Sequence, residues 1–202
     1  MAYANWVTPD KISGSGNGTV SWVGSEHTGR SPRSTTATFS ASGVTSKTLT
    51  INQAGKTEFV DIADTQAVSK NGGSITITGT SNSKKLTFTL TGTNGISLTL
   101  PAAYLANSVS TNNGADISGD PGATQQYAFS ITFTGIAANT TLSTKTSQLT
   151  VTTENGTTDT CDITQAAGDA YLNIAPTTIN LSAAGVADNS VTVESNTSWT
   201  VS

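Results

Sequence analysis

The octapeptide TLTINQAG occupies residues 48–55, and a close variant, TCDITQAAG, follows at residues 160–168. In both copies polar and apolar residues alternate before Gln-Ala, which is the pattern of a strand with one buried face. Each copy also follows another alternating stretch at the same distance, since Ala37 lies twelve residues before Leu49 and the second copy keeps this spacing. The intervening turns are small and polar. The sequence therefore predicts one β-hairpin written twice, each time closing a module.

The composition is poor in charge. Charged residues make up 11% of the chain and hydrophobic residues 35%, with a net charge of −4, whereas an ordinary globular domain is roughly 25% charged. Low charge with period-two alternation indicates β-sheets whose solvent face is Thr and Ser. The pI near 4.7 and the scattered basic residues argue against nucleic acid as a partner. No apolar run is long enough to span a membrane, and no cofactor is expected.

Two features bear on the cellular compartment. The single cysteine, Cys161, excludes an intrachain disulfide and fits a small buried hydrophobe. The first residues lack a basic segment followed by an apolar one. We therefore expect either a protein that is made and used without export, or a fragment to which Met1 was added.

Many short strand patterns with turns every eight to twelve residues predict an all-β chain of tandem immunoglobulin-like β-sandwich modules. Residues 56–168 have enough strands for a complete module. Residues 1–55 contain only the closing part of such a module, and residues 169–202 contain only its opening part.

Within the complete module, the local structure of two stretches can be predicted. Residues 86–90 and 96–100 alternate on either side of Asn94-Gly95, which favours a tight hairpin. Residues 101–126 form an irregular insertion rich in Asn, Ser and Gly, with a short helical turn expected at residues 102–105.

The two ends resemble one known family. Residues 195–199 read Ser-Asn-Thr-Ser-Trp, residues 13–20 read SGSGNGTV, an arginine follows, and residues 53–55 read Gln-Ala-Gly. In this order the motifs resemble the BACON domain. Residues Trp6 to Gly55 are similar to its second half, and Tyr171 to Ser202 to its first half.

The resemblance implies an immunoglobulin-like fold, a place among proteins of Bacteroidetes and their phages, including crAss-like phages, and carbohydrate binding. The central module shares the closing strand and Ser81-Asn82, but has Leu86 near the position of the family's tryptophan.

Three explanations of the half-modules stay open. The chain is cut from a longer protein, or the halves close on each other within one chain, or the tail of one subunit completes the head of the next. The residues expected to pair between modules or subunits are Trp6, Ile51, Leu172, Ile174, Val191, Val193 and Trp199.

No pattern predicts catalysis. His27, the only histidine, lies in a polar loop and is expected to be a surface residue. Oxygen ligands for calcium are offered weakly by Asp116 and Asp120, together with Asn112 and Asn113, although Asn and Asp are also ordinary turn residues.

Sugars usually stack on exposed aromatic rings, so Trp22, Tyr3 and Tyr104 are the glycan-contact candidates. The sequence-based hypothesis is a non-enzymatic virion component of a phage, made in the host cytoplasm: a capsid decoration, head-fibre or tail-fibre protein. Its partners would be other virion proteins or copies of itself, and host or mucin glycans held weakly by multivalent display. The alternative is an extracellular or cell-surface carbohydrate-binding segment of a secreted Bacteroidetes glycan-degrading protein.

Overall fold

A computed structural model describes residues 3–92, 95–185 and 189–202, and these residues form fifteen strands and no helix. The predicted all-β class is confirmed. The strands form two larger sheets in the central segment (residues 56–168) and separate two-stranded sheets in the N-terminal segment (residues 3–55) and the C-terminal segment (residues 169–202). No helix in the described part of the chain has the length and apolar character needed to cross a membrane.

The N-terminal segment consists of two antiparallel strand pairs. Their bounds are β1 Val7–Pro9 with β2 Trp22–Gly24, and β3 Arg33–Phe39 with β4 Lys47–Gln53. In the second pair Ala37 lies opposite Leu49, as the spacing predicted. Val7 and Ala37 are buried, but Leu49 is 39% exposed, so the apolar face of this hairpin is incompletely covered.

The described residues of the central segment form nine strands in two sheets. The five-stranded sheet has the order β10-β9-β11-β7-β5 and the four-stranded sheet the order β6-β13-β12-β8. The strands are β5 Val60–Ile62, β6 Thr65–Val68, β7 Gly73–Ser81, β8 Leu86–Thr91, β9 Ala103–Ala106, β10 Val109–Asn112, β11 Tyr127–Ile136, β12 Lys145–Thr153 and β13 Thr158–Gln165. All pairings are antiparallel except that of β6 with β13.

One hydrophobic core joins the two sheets. It includes Phe129 and Ile131 from β11 of the larger sheet and Leu149, Cys161 and Ile163 from the smaller sheet. The last three are fully buried, so the predicted burial of the cysteine is confirmed. Alternate residues of each strand enter this core, as period-two patterning requires. The arrangement is compatible with a β-sandwich.

The 101–126 stretch is more regular than the sequence indicated. The short helical turn predicted at residues 102–105 is wrong, because these residues enter β9, which pairs with β10 and β11. Asn107 and Ser108 link β9 to β10 and both have positive φ, 50° and 66°, the conformation of a tight hairpin turn.

The hairpin predicted around Asn94-Gly95 is present only in its first strand, β8. Asn94 lies outside the described residues, and residues 96–100 form no strand. Ile96 is nevertheless buried, and Leu98 and Leu100 pack against the core. The alternation of these apolar residues therefore arises from their packing on the core, and not from strand pairing.

In its described residues, the C-terminal segment contains one antiparallel pair, β14 Leu172–Ala175 and β15 Thr192–Ser195. Its apolar residues are largely uncovered: Leu172 is 57% exposed and Ile174 is 50% exposed.

Candidate functional site

The glutamine that ends each closing hairpin holds the loop that precedes the hairpin. Gln165 is 1% exposed, and its Nε2 donates to the carbonyls of Ala137 (2.8 Å) and Ser69 (3.2 Å). Gln53 donates in the same way to the Ser25 carbonyl at 2.9 Å. Gln53 and Gln165 lie 112 residues apart, as do Ser25 and Ala137, so the same hydrogen bond recurs in both segments.

The two glutamines differ in their remaining contacts. Ser69 follows β6, which belongs to the opening part of the central segment, and the N-terminal segment supplies no counterpart for it. In the N-terminal segment the Oε1 of Gln53 instead accepts from Arg33 Nε at 2.9 Å. Gln53 is therefore engaged but only partly buried.

The loop held by each glutamine is shaped by a second hydrogen bond that recurs in both segments. Asn139 Nδ2 donates to the Ser143 carbonyl at 2.8 Å. At the matching position in the N-terminal segment, His27 Nε2 lies 2.7 Å from the Ser31 carbonyl. The Nε2–H tautomer makes this bond. His27, expected to be a surface residue, is partly buried and has a structural role in its loop.

A different hydrogen-bond network marks the start of the central segment. Ser81 Oγ donates to the Phe59 carbonyl at 2.6 Å, and Asn82 Oδ1 accepts from the Phe59 amide at 2.8 Å. Asn82 Nδ2 also donates to the Thr57 carbonyl at 3.0 Å. Ser81 and Asn82 are both buried, so this network fixes β5 against the end of β7.

The C-terminal segment repeats that network. Ser195 Oγ donates to the Tyr171 carbonyl at 2.9 Å, and Asn196 Oδ1 accepts from the Tyr171 amide at 3.0 Å. Asn196 Nδ2 donates to the Asp169 carbonyl at 2.9 Å. The hairpin of β14 and β15 is thus the counterpart of the β5–β7 pair.

The turn at Ser182–Gly185, between β14 and β15, supports the correspondence of the C-terminal segment with the opening part of the central segment. The Gly185 amide donates to the Ser182 carbonyl at 3.1 Å, and the Gly72 amide donates to the Ser69 carbonyl at 2.9 Å. Both glycines have positive φ, 69° and 75°. Residues 178–182 are therefore the counterpart of β6 and Ser69, but they form no strand in this structure.

The terminal segments expose residues whose central counterparts are buried. Leu49 corresponds to Cys161, which is fully buried, and Leu181, 67% exposed, corresponds to Val68, which is 3% exposed. The exposed apolar side chains of the two terminal segments include Phe39, Leu49, Leu172, Ile174, Ile179, Leu181, Val191 and Trp199. The candidate site consists of these two exposed apolar surfaces.

Each terminal segment is attached to the central segment by polar contacts. Arg30 forms two hydrogen bonds to the Asp120 carboxylate, at 2.6 and 2.7 Å, and donates through Nε to the Asn82 carbonyl at 3.0 Å. Its Nε also lies 3.3 Å from the buried Glu58 carboxylate. The hydrogen bond from Arg30 is the main cause that lowers the pKa of Asp120, and the same bond raises the pKa of Arg30.

The C-terminal segment is attached at a different place. Lys70 Nζ lies 2.6 and 2.7 Å from the two carboxylate oxygens of Asp169. Asn196 Nδ2 lies 3.4 Å from the Thr140 carbonyl. Lys70 precedes β7 and Asn82 follows it, so the two attachments lie near opposite ends of that strand.

The aromatic candidates fall into two environments. Trp22 and Tyr3 are partly buried and form an edge-to-face pair with ring centroids 5.3 Å apart. The expectation that Tyr104 is exposed is wrong: it is 3% exposed and packs against Phe88. Burial raises the pKa of Tyr104 to about 12.

The remaining tryptophans also differ. Trp6 is partly buried beneath the Arg33 guanidinium, which lies 4.5 Å from its ring centroid, whereas Trp199 is 50% exposed. Of the other residues expected to pair between modules, Ile51 and Val193 are partly buried and Val191 is 40% exposed.

Three of the calcium candidates, Asp116, Asp120 and Asn113, have protein partners for their side chains. Asp120 binds Arg30, and Asp116 lies 3.3 Å from Lys84 Nζ. Asn113 uses its side-chain amide on the backbone of Phe88. Among the described residues, no group of three or more His, Cys, Asp or Glu is placed to hold a metal ion.

Comparison with known proteins adds no family to this picture. No protein-family model matches the chain. No curated protein matches it either. The function is therefore argued from the repeated networks and the uncovered surfaces.

Proposed function

We propose that this chain is a non-enzymatic structural and adhesive protein that joins subunits through incomplete immunoglobulin-like modules. One observation carries the proposal. The N-terminal segment has the hydrogen bonds that close the central segment, and the C-terminal segment has those that open it. Two surfaces that are parts of one folding unit are complementary, and burial of their apolar side chains drives their association.

The biological setting proposed is a phage virion, as a capsid decoration, head-fibre or tail-fibre component. Support comes from the resemblance of both ends to BACON domains. A structural role also agrees with the way the polar groups are used, because His27, Asp120 and Glu58 all hold loops or junctions. Partners are copies of this chain or other virion proteins, and exposed loops bind host or mucin glycans weakly, through multivalent display.

A second candidate function is glycan binding within a secreted Bacteroidetes glycan-degrading protein. The partly exposed Trp22–Tyr3 pair favours it, because aromatic rings next to each other give a sugar a broad apolar contact. Titration of mucin oligosaccharides against the wild type and Trp22→Ala, followed by tryptophan fluorescence, tests whether this aromatic pair binds sugar. Saturable binding lost in Trp22→Ala supports this candidate.

The test of the joining function is the molar mass in solution as a function of concentration. Size-exclusion chromatography with light scattering should show a mass that rises above 20.5 kDa as the concentration increases. In Leu172→Thr/Ile174→Thr the rise should shift to higher concentration, because both side chains correspond to buried residues of β5. Leu105→Thr is the matched control, since Leu105 is 46% exposed but lies on β9. A strict monomer over a wide concentration range overturns the proposal.

A further inference from the structure

The central segment shows how an opening part and a closing part fit together. Strand β6 lies parallel to the outer edge of β13, with Thr65 opposite Asp162 and Val68 opposite Gln165. Directly after β6, the Ser69 carbonyl accepts the second hydrogen bond of the Gln165 amide. A single short strand thus covers the edge of the closing hairpin, and the residue after it accepts the second hydrogen bond of the buried glutamine.

The N-terminal segment presents the same edge without this strand. Strand β4 is the counterpart of β13, and in the described structure its only strand partner is β3. Its outer edge therefore leaves backbone donors and acceptors unpaired, which makes it a template for an added strand. The Gln53 amide donates to the Ser25 carbonyl, as the Gln165 amide does to Ala137. The N-terminal segment has no carbonyl in the position of Ser69, so the second hydrogen bond is missing.

The C-terminal segment carries the matching strand. Residues 178–181 precede the Ser182–Gly185 turn just as β6 precedes the Ser69–Gly72 turn. Ile179 is 41% exposed and Leu181 67% exposed, and they alternate along the chain like Gln66 and Val68. Both therefore point to one face when this stretch is extended.

We propose that residues 178–181 of one copy add in parallel to the β4 edge of a second copy, which places Ile179 opposite Ile51 and Leu181 opposite Gln53. The Gln53 amide then donates to the Ser182 carbonyl, as the Gln165 amide does to Ser69. This inference rests on the proposed joining function and specifies its register.

The positions of the two attachments favour a second copy of the chain as the source of the strand that adds to the β4 edge. The N-terminal segment is held at Asn82, beyond one end of β7, and the C-terminal segment at Lys70, before its other end. Nine strand residues span roughly 27 Å, so the two segments are anchored about that far apart along this strand. A head-to-tail contact of this kind builds rings or open filaments.

The register is tested by disulfide trapping between single-cysteine variants mixed in equal amounts. Thr50→Cys and Thr178→Cys correspond to the exposed pair Asp162 and Thr65, which lie on adjacent strands within disulfide reach. Thr36→Cys with Thr178→Cys is the matched control, because Thr36 is exposed and lies directly opposite Thr50 on β3. It is one strand farther from the proposed donor, roughly 10 Å away.

The expected result is a disulfide-linked dimer from Thr50→Cys with Thr178→Cys, formed at least tenfold faster than in the control mixture. The buried Cys161 stays out of the reaction, which mass spectrometry of the linked peptides verifies. Equal rates in the two mixtures, together with a wild-type mass that rises with concentration, overturn this register but leave the joining function. A strict wild-type monomer overturns both.

A doubly substituted chain distinguishes closure within one molecule. If Thr50→Cys/Thr178→Cys forms an intramolecular disulfide while the mixed single variants form none, the occupant is the chain's own tail and the proposal of a second copy is wrong. Circular dichroism of each variant verifies that its β-structure is unchanged.

Discussion

Replacing Gln165 by alanine removes a buried amide that holds two separate backbone carbonyls. The amide donates to Ala137, directly after β11, and to Ser69, directly after β6. Both bonds span long stretches of sequence, 28 and 96 residues. Without the amide, the Ala137 carbonyl loses the donor that Gln165 supplies and the Ser69 carbonyl keeps only the Gly72 amide. Water has little access because the side chain is 1% exposed.

The cost follows from these contacts. A buried polar group left without a partner costs about 1–3 kcal/mol. Here the Ala137 carbonyl loses its donor, and the Ser69 carbonyl loses one of its two donors. The small cavity left by the amide adds to this cost. We expect the free energy of unfolding of the central segment to fall by about 2–4 kcal/mol, and its midpoint temperature by about 8–20 °C.

Gln53→Ala is the matched comparison within the same chain. Gln53 makes the corresponding bond to Ser25, but it is only partly buried, so water replaces much of what is lost. In dilute solution we expect a loss below about 1 kcal/mol. At concentrations where subunits join, the loss grows, because the proposed hydrogen bond from Gln53 to the Ser182 carbonyl of the next copy is lost as well. Association should weaken about 5- to 30-fold, which is about 1–2 kcal/mol.

The chain allows the segments to be observed separately. All three tryptophans, Trp6, Trp22 and Trp199, lie in the terminal segments, whereas most strands lie in the central segment. Tryptophan fluorescence therefore follows the ends, and far-ultraviolet circular dichroism mainly follows the centre. Equal destabilisation by Gln165→Ala and Gln53→Ala in dilute solution would show that the second carbonyl contributes nothing, and the reasoning on the missing strand would be refuted.

Two further predictions concern titratable groups. The pKa of Asp120 is lowered from its usual 3.8, chiefly by the Arg30 hydrogen bond, so the stability that this contact gives is complete above about pH 5 and is lost as the pH falls below 3.8 through the folded value. Tryptophan fluorescence should report loosening of the N-terminal segment in that acid range, and Arg30→Gln should abolish the transition; an unchanged transition contradicts the assignment. Burial raises the pKa of the Cys161 thiol to about 11, so at pH 8 a thiol reagent such as dithiobis-nitrobenzoate should react only after denaturation, and rapid labelling of the native protein would contradict its position in the core.

The closing hairpins were predictable because their information is local. Alternation fixes which face is buried, and the constant spacing from Ala37 to Leu49 fixes the register of the pair. The insertion was harder. Its hairpin turns at Asn107 and Ser108 with two positive φ values and has no glycine there, so the usual signal of a tight turn is absent.

The roles of the glutamine and asparagine side chains could not be read in the same way. The repeats of Gln-Ala and Ser-Asn mark these residues as special, but their partners are backbone carbonyls and amides distant in sequence. A carbonyl carries no sequence signature, so the bond from Gln165 to Ser69 emerges only when β6 and β13 lie side by side. His27 illustrates the same limit, since its role is recognised only from the matching position of Asn139.

The hydrogen bond between a buried glutamine amide and a backbone carbonyl explains how an exposed apolar surface can select one partner. Burial of Ile179 and Leu181 is non-directional and would tolerate several registers. A shift by one residue, however, turns both side chains to the opposite face and moves the Ser182 carbonyl away from Gln53. The misplaced register then buries one N–H of the Gln53 amide without an acceptor, which is penalised more strongly than a correct bond is rewarded. The group that fixes β6 inside one chain is thus suited to reject wrong pairings between chains.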